Sequence, residues 1–433
     1  MAVTGRAVFL AFVGVLVVFI AAPAGNWVLW ATLGLILAVL LVDLALAANS
    51  RAVRFERSGD TSIRLGESAA VSLVVANPGP RVLRATVRDA WRPSAAAAPR
   101  THEVVVPAGG RRRVGTTLTP VRRGDQHSAQ VTVRSYGPLG LAARQSSHAV
   151  PWSVRTLPPF NSRRHLPGKL SRLRELEGQH RAMIRGQGSE FDSLREYVPG
   201  DDVRSIDWRA TARRETVVVR TWRPERDRRI LVVLDTSRTS AGRVGDVPRL
   251  EHAMDAGLLL TALAAKAGDR VELLAYDRRV RARVRAHGRG STLQAIVSAM
   301  TPLEPELVES DSAGLVAAIL GGQSRSRQLV VLLTDLNAAA MEEGLLPRLS
   351  ALTARHLVLV AAVGDPRVAE MAAERGDARA AYNAAAAQKT IADRRRITAE
   401  LRRHGVEVVD AGPDDIAPAL ADAYISLKAQ GRL

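Results

Sequence analysis

The hydrophobic and polar positions of this chain follow several patterns, and the first is the most apolar. Residues 7–23 form an uncharged apolar run, and residues 27–48 form a second run that only Asp43 interrupts. Each run is close to the roughly 20 residues that an α-helix needs to cross a bilayer. Because the link between them is short, we predict a transmembrane helical hairpin over residues 1–50.

The charges around this hairpin predict its orientation. Arg6 precedes the first run and Arg51, Arg54 and Arg57 follow the second, whereas the link is uncharged. Since basic residues favour the cytoplasmic side, we expect a cell-membrane protein with two helices and cytoplasmic soluble domains. A cleaved signal peptide is the alternative for the first run, but the second run follows it without a polar mature start.

Residues 51–160 change to short alternating runs. Val- and Thr-rich runs occur at 69–75, 103–106, 116–120 and 130–136, with turn residues between them. This spacing predicts a small β-sandwich, in which we see no catalytic constellation. Within residues 51–150 there are 16 arginines and six acidic residues, which favours contact with anionic membrane lipid. A solvated charged face is the alternative.

Residues 161–229 are rich in charge. We predict a helix at 168–177 and a strand at 216–222, and we expect this strand to form a hairpin with the strand that begins at Ile230. Acids and arginines alternate between them, after a turn at 199–201. We expect an internally paired network here, made of Arg195, Asp201, Arg204, Asp207 and Arg213. Tyr197 and Trp208 are expected to pack beneath this network.

Residues 230–433 alternate between strands and helices, which predicts an α/β domain of Rossmann-like type. The runs at 230–234 and 329–333 are typical of parallel strands buried on both faces. Further strands are predicted at 271–276, 280–286, 356–363 and 406–409, and helices at 247–267, 292–300, 312–320, 345–354, 368–404 and 416–430. The predicted fold class is therefore multi-domain: a transmembrane hairpin, a β-sandwich and a C-terminal α/β domain.

Polar side chains follow the first buried strand at alternate positions: Asp235, Ser237 and Thr239. Ligands of open α/β sheets bind outside the carboxyl ends of the strands, and Mg²⁺ prefers oxygen ligands. We expect the three oxygens to converge there, either around a divalent ion or as turn and capping groups for the next helix. The acidic loop at 304–311 is expected near this face. There the loop would screen the proposed ion or gate access to it.

Composition and motifs exclude several functions. The chain has 433 residues, a net charge of +18 and no cysteine, so disulfides, thiolate metal sites and cysteine nucleophiles are excluded. Only 4% of its residues are aromatic, so no stacking platform is evident and we expect no nucleic-acid partner. No Walker A, G-x-G-x-x-G or H-E-x-x-H motif occurs, so any nucleotide-driven work must come from another protein.

The D-x-S-x-T pattern at Asp235 resembles the metal-ion-dependent adhesion site of von Willebrand factor A domains. That family takes a threonine from a glycine loop that opens a helix, as at residues 288–292, and an aspartate after its fourth strand, as at Thr334-Asp335. The resemblance implies a von Willebrand factor A-like domain that binds Mg²⁺ or Mn²⁺. The metal ligands that it implies are Asp235, Ser237, Thr239, Thr292 and Asp335.

A longer motif at residues 188–213 is similar to a bacterial membrane protein family called domain of unknown function 58. The similarity also covers the hairpin, the β-region and the terminal Y-I-S-L-K at 424–428. Members are often encoded beside MoxR-type AAA+ ATPases, so the resemblance implies such an ATPase as partner. The signature residues are Gly188, Glu190, Phe191, Leu194, Arg195, Tyr197, Gly200, Asp201, Arg204, Ile206, Asp207, Trp208, Ala212 and Arg213.

Two functions follow as hypotheses. The first is a membrane-anchored, non-enzymatic interaction or assembly factor whose A-type domain binds a partner. The resemblance implies that this binding can use the divalent ion. The alternative is a cell-envelope hydrolase that uses the carboxylates of Glu190, Asp201 and Asp207. Arginines lie close to each of these acids in the sequence, which favours ion pairing over catalysis. The predicted domains are the transmembrane hairpin (residues 1–50), the β-sandwich (51–160), the signature segment with its hairpin packed on the α/β domain (161–229) and the von Willebrand factor A-like domain (230–433).

Overall fold

A computed structural model describes residues 2–21, 23, 25–183, 190–214, 216–223, 228–285, 291–322 and 326–433. The chain divides into two compact units, Met1–Leu157 and Pro158–Leu433. The hairpin segment and the β-region therefore belong to one unit, and the signature segment and the α/β region belong to the other.

The first unit begins with two apolar helices that contact each other, α1 (Gly5–Ile20) and α2 (Trp27–Leu46). Within the described residues, α2 is the helix long and apolar enough to cross a membrane, whereas α1 has 16 residues. Most large side chains of both helices are exposed, including Phe19 at 80% and Trp30 at 71%. The chain thus has a candidate membrane helix near its N-terminus, while a second crossing and the orientation stay predictions.

The β-region consists of two sheets. One has the order β1-β9-β8-β5-β6, with β3 also paired to β9, and the other has the order β2-β4-β7. Alternate residues of both sheets, such as Leu73, Val87 and Val131, share one buried cluster, which is the packing of a β-sandwich. The strands are β1 (Ala2–Val3), β2 (Arg54–Gly59), β3 (Ser62–Arg64), β4 (Ala69–Ala76), β5 (Leu83–Trp91), β6 (Thr101–Val106), β7 (Arg111–Leu118), β8 (Gly124–Tyr136) and β9 (Ala142–Leu157).

Asp43 joins the end of α2 to the loop between β8 and β9. Its carboxylate is fully buried and accepts hydrogen bonds from the backbone N–H groups of Leu139 (2.7 Å), Leu141 (2.8 Å) and Ala142 (3.0 Å). The loop approaches so closely that a Cβ at Gly137 would lie 2.2 Å from Asp43. The charge that interrupts the second apolar run is therefore a structural acceptor.

The second unit contains a six-stranded sheet of order β16-β15-β12-β17-β18-β19, in which β16 alone is antiparallel. This is the order of a doubly wound sheet, with β12 at its centre. A separate two-stranded sheet pairs β10 with β11, and β13 pairs with β14. The strands are β10 (Glu190–Glu196), β11 (Val218–Arg223), β12 (Arg229–Asp235), β13 (Arg243–Val244), β14 (Val247–Pro248), β15 (Arg270–Tyr276), β16 (Val280–Val284), β17 (Leu329–Leu333), β18 (Leu357–Val363) and β19 (Glu407–Ala411).

Helices flank the central sheet, and several of them, such as α6, α9 and α12, bury apolar side chains on it. A π-helical turn, Ala340–Leu345, leads directly into α9, where the sequence predicted one helix at 345–354. The predicted helix at 368–404 is divided in two, with Asp377 capping the second part through Ala380 N–H. The helices are α3 (Leu166–Met183), α4 (Trp208–Arg214), α5 (Arg238–Ala241), α6 (Arg249–Lys266), α7 (Thr292–Met300), α8 (Ser312–Leu320), α9 (Leu346–Thr353), α10 (Pro366–Ala373), α11 (Ala378–Arg403) and α12 (Ile416–Ala429).

The hairpin expected between residues 216–222 and the strand from Ile230 is wrong. β11 pairs antiparallel with β10, while β12 is paired on both sides by β15 and β17. A fully apolar strand is stabilised at the centre of a sheet, where it leaves no edge for a further partner. The signature segment consequently forms its own small sheet.

Candidate functional site

The candidate site lies at the carboxyl edge of the central sheet. From β12 the sheet extends through β15 on one side and through β17 on the other, so the strand order reverses between β12 and β17. Leu234 pairs with Leu333, which brings Asp235 and Thr334 to the same edge. Ligands of doubly wound sheets bind at this topological switch point.

Asp235 organises the oxygen atoms at this point. One carboxylate oxygen accepts from Ser237 N–H at 2.8 Å, and the other accepts from the hydroxyls of Thr239 and Thr334, each at 2.7 Å. The hydroxyls of Ser237 and Thr239 are 3.1 Å apart. The branched Thr239 side chain thus directs its hydroxyl toward the cluster, and the three oxygens predicted to converge lie together.

A cavity of about 240 Å³ opens beside this cluster. Asp235, Ser237, Thr239 and Thr334 form its polar end, and the π-helical turn forms another wall. Apolar side chains complete the lining, among them Val233, Leu315, Leu332, Met341 and Leu345. The switch point therefore presents both hydrogen-bonding oxygens and an apolar surface to a bound group.

The acidic loop at 304–311 lies against the Asp235–Thr239 segment, as the sequence predicted. Glu306 N–H donates to the Thr236 carbonyl, and Arg238 N–H donates to the Val308 carbonyl, both at 2.8 Å. Arg238 and Glu309 form an ion pair at 3.2 Å and both line the cavity. Because both side chains are more than half exposed, this pair contributes little stability and can separate when a ligand enters.

Asp335 lies at the same edge but contacts arginines. Its oxygens pair with Arg394 at 2.7 Å and with Arg249 at 3.2 Å, and Arg249 also donates to the Thr239 carbonyl at 2.8 Å. Arg394 pairs in addition with Asp410 at 2.6 Å. Although burial opposes it, the hydrogen bonds and charges of Asp410 and Asp335 raise the pKa of Arg394. Both carboxylates are thus neutralised by protein cations.

Thr292 is buried at the start of α7, a helix that contacts α6, β15 and β16. It does not belong to the cavity lining formed by the described residues, and neither does Asp335. The glycine loop before it, at 286–290, lies outside the described residues. The contribution of Thr292 and Asp335 to an ion site therefore stays a prediction.

The donor chemistry tests whether the site suits a divalent ion. Asp235, Ser237 and Thr239 supply a carboxylate and two hydroxyls, which are oxygen donors of the type that Mg²⁺ and Mn²⁺ accept. Asp335 fits less well, because Arg249 and Arg394 already hold both of its oxygens. Three of the five predicted ligands fit the ion by type and convergence.

The signature segment shows how its acids are used. Asp201 pairs with Arg195 at 2.6 Å and accepts from Val198 N–H, after a turn in which Gly200 has φ +110°. The hydrogen bond from Arg195, with that from Val198, lowers the pKa of Asp201. A carboxyl group that ionises this readily is a poor general acid.

Asp207 caps α4 through the N–H groups of Arg209 and Ala210, both at 3.0 Å, and pairs with Arg220 at 2.8 Å. These bonds, the Ala210 bond foremost, lower the pKa of Asp207. Within the described residues, neither Asp201 nor Asp207 pairs with the expected Arg204 or Arg213, and Trp208 is 69% exposed instead of packed beneath the network. This arrangement follows because Asp207 is occupied by the helix start, which turns Trp208 outward.

The other signature residues have defined places. Gly188 and the side chains of Glu190 and Phe191 lie outside the described part. Leu194 and Arg195 belong to β10, Tyr197 and Gly200 to the following turn, Arg204 to a short 3₁₀ turn, and Ala212 and Arg213 to α4. Ile206 bridges to Val219 and so holds the 3₁₀ turn against β11.

Sequence reasoning missed three side chains of the site: Thr334, Arg249 and Arg394. Thr334 directly precedes the predicted Asp335, so its place after a buried strand was the available signal. Arg249 and Arg394 belong to distant helices among many other arginines, and nothing local distinguishes them. Their roles depend on the packing of α6 and α11 around the sheet edge.

The fold and site define a doubly wound α/β domain, with a polar cavity at its switch point, in a chain that has a candidate membrane helix. Residues 193–407 match the family model described as "Protein of unknown function DUF58", and this part of the chain belongs to that family. The match begins within the signature motif, at residue 193, and includes most of the central sheet. The predicted family resemblance is confirmed over these residues, and its extension to the hairpin, the β-region and residues 424–428 stays a prediction.

Three curated relatives are similar to part of this chain. Uncharacterized proteins from Mycobacterium bovis and Mycobacterium tuberculosis are 32% identical over 200 residues, which is 45% of this chain and 61% of each relative. The aligned part thus spans less than two thirds of those proteins.

Similar solved structures cover single parts of the chain. An aerotolerance-related membrane protein from Bacteroides fragilis covers 47% of this chain and 99% of its own, at 15% identity and a TM-score of 0.29. The CARDB domain of a Pyrococcus furiosus protein, in complex with di-metal ions, covers 24% of this chain and 91% of its own, at 12% identity and a TM-score of 0.19. These likenesses carry no functional argument.

Proposed function

We propose that this chain is a membrane-anchored, non-enzymatic interaction or assembly factor. In this proposal the C-terminal domain, of von Willebrand factor A-like type, binds a protein partner at the carboxyl edge of its central sheet. The observation that carries the proposal is the convergence of Asp235, Ser237, Thr239 and Thr334 beside a cavity at the switch point. Asp201 and Asp207 are both held by arginines and have lowered pKa values, so neither suits the role of general acid that the alternative hydrolase requires.

The finer proposal is that Asp235, Ser237 and Thr239 hold Mg²⁺ or Mn²⁺. When bound, the ion supplies positive charge that attracts an acidic group of the partner. The chain itself positions the hydroxyls through Asp235 and forms the apolar wall beside them. Arg249 and Arg394 keep Asp335 neutralised, so a single uncompensated carboxylate faces the ion and leaves it electrophilic.

Metal binding is tested by isothermal titration of the full chain in detergent with Mn²⁺. We expect one site in the wild type and none in Asp235→Ala. The matched control is Asp365→Ala, since Asp365 also follows a central strand and caps a helix through Arg367 N–H at 3.0 Å. Equal binding by Asp235→Ala and wild type would exclude the ion from this site.

The proposed partner is a MoxR-type AAA+ ATPase, because the chain has no Walker A motif and its family resemblance implies such a neighbour. Crosslinking in membranes followed by capture of the chain tests this. We expect the wild type to recover an AAA+ ATPase, and Asp235→Ala and Asp335→Ala to lose it. Recovery by all three forms would place the contact elsewhere, and recovery by none would reject this partner.

A further inference from the structure

The acidic loop carries an exposed apolar residue in a fixed position. Leu307 is 81% exposed, and its neighbours on both sides are bonded to the Asp235–Thr239 segment through Glu306 N–H and the Val308 carbonyl. The exposed side chains of Glu304 and Glu309 flank it. Glu304 has no ion pair with any other described residue, and Glu309 has only the exposed pair with Arg238. We call residues 304–309 the Leu307 loop.

A surface of opposite character lies on the signature segment. Trp208 is 69% exposed and Val203 is 62% exposed. Three exposed arginines, Arg204, Arg209 and Arg213, accompany them. Their guanidinium groups make no ion pair within the described residues, because Asp201 and Asp207 are held by Arg195 and Arg220. We call these five residues the Trp208 face.

These two surfaces complement each other in both charge and apolar content. A large side chain left exposed beside unpaired charge is a typical component of an interface, and Trp and Arg are the residues most enriched at interface hot spots. Within one chain both surfaces are exposed, so they do not cover each other. A second copy of the chain offers each surface its counterpart.

We propose that the chain self-associates head to tail, with the Leu307 loop of one copy bound to the Trp208 face of the next. Leu307 packs on Trp208 and Val203, while Glu304 and Glu309 pair with the arginines around them. Such a contact joins two different surfaces, so it generates a ring or a filament and not a symmetric pair. Anchoring in a membrane would raise the effective concentration of the copies and favour this association.

The test measures the mass of the detergent-solubilised full chain by light scattering over a range of concentrations. We expect the wild-type mass to rise with concentration, and Leu307→Ser and Trp208→Ser to stay at the mass of one chain. Tyr382→Ser is the matched control, because Tyr382 on α11 is 78% exposed and belongs to neither surface. It should assemble as the wild type does.

Mixing separates loss of contact from loss of folding. Leu307→Ser keeps its Trp208 face, and Trp208→Ser keeps its Leu307 loop, so an equal mixture should form pairs and nothing larger. On its own, each of the charge-reversed variants Glu304→Arg/Glu309→Arg and Arg204→Glu/Arg209→Glu should fail to assemble at concentrations at which the wild type assembles. Failure of the two serine variants to pair would overturn the proposal.

Two further outcomes would also overturn it. One is a wild type with the mass of a single chain at every concentration. The other is unchanged assembly of Trp208→Ser together with its loss of binding to phosphatidylglycerol vesicles, which would make the Trp208 face a lipid contact. Mn²⁺ titration of Asp235→Ala is independent of these results, so the proposed function and the self-association fail separately.

Discussion

Two buried aspartates, one in each unit, differ in what holds them. Asp43 accepts three backbone N–H groups of one loop, whereas Asp235 accepts one N–H group and two hydroxyls beside a cavity. Backbone donors cannot turn away without moving the chain, but hydroxyls rotate to suit a new partner. The type of donor therefore distinguishes Asp43, a structural joint between α2 and the 139–142 loop, from Asp235, a residue of a candidate binding site.

The second unit also contains a buried structural acid, Asp269, and removing its ion-pair partner should have the largest effect on stability. Asp269 is buried, accepts from the Tyr424 hydroxyl at 2.5 Å and pairs with Lys428 at 3.3 Å. Burial raises the pKa of Asp269 against the opposing charge of Lys428. Since Lys428→Met leaves a buried acid without its cation, it should lower the free energy of unfolding by about 3–5 kcal/mol in denaturant titrations.

The control for this prediction is Lys266→Met, which removes an exposed lysine from the last turn of α6. It should change the free energy of unfolding by less than about 0.5 kcal/mol. The double variant Lys428→Met/Asp269→Asn should regain much of the stability, because no uncompensated charge remains. A Lys428→Met chain as stable as the control would show that the pair contributes nothing.

Asp43→Ala tests the structural joint of the first unit. It leaves three N–H groups of the 139–142 loop without their acceptor, and at about 1 kcal/mol for each bond the loss should be about 3 kcal/mol. Thermal unfolding and protease cleavage of the full chain in detergent would measure it. Asp43→Asn keeps one acceptor oxygen and should lose less stability than Asp43→Ala. The control Glu103→Ala on β6 should lose no stability. Unchanged cleavage of the loop in Asp43→Ala would contradict the joint.

Asp235→Asn should cost less stability than Asp43→Ala, which sharpens the comparison. The amide keeps an acceptor oxygen, and the hydroxyls of Thr239 and Thr334 can rotate toward each other or water. We expect a loss of at most about 1 kcal/mol in thermal unfolding, with Mn²⁺ binding abolished in the same preparation. A loss equal to that of Asp43→Ala would mean that Asp235 is structural as well.

Much of the central sheet could be predicted from the sequence, because short, fully apolar runs such as 329–333 are typical of buried parallel strands. Asp235, Ser237 and Thr239 could be placed at one edge for the same reason. The pairing of β11 could not be predicted, since alternating residues in a charged segment do not specify which strand lies beside them. The pairing of Arg249 and Arg394 with Asp335 could not be predicted either, because only the packing of α6 and α11 brings these arginines to the sheet edge.

His356 provides the smallest predicted effect, and it concerns a buried group that is not fully bonded. It directly precedes β18, and its Nδ1 has no hydrogen-bond partner within the described residues. Burial, with the charge of Arg355, lowers the pKa of His356 below 6.5. The folded chain therefore binds fewer protons than the unfolded chain between that lowered pKa and 6.5, and stability should fall as the pH drops through this window.

Above pH 6.5 the His356 contribution is fully present, so His356→Gln should match the wild type in its pH dependence there and lose less stability on acidification. Unfolding midpoints measured stepwise from pH 7.5 to about pH 5 would show this difference. Some acid sensitivity should persist, because burial also lowers the pKa of His102 in the first unit. Parallel curves for wild type and His356→Gln would show that His356 keeps an ordinary pKa, and that its incomplete bonding is compensated in the folded chain.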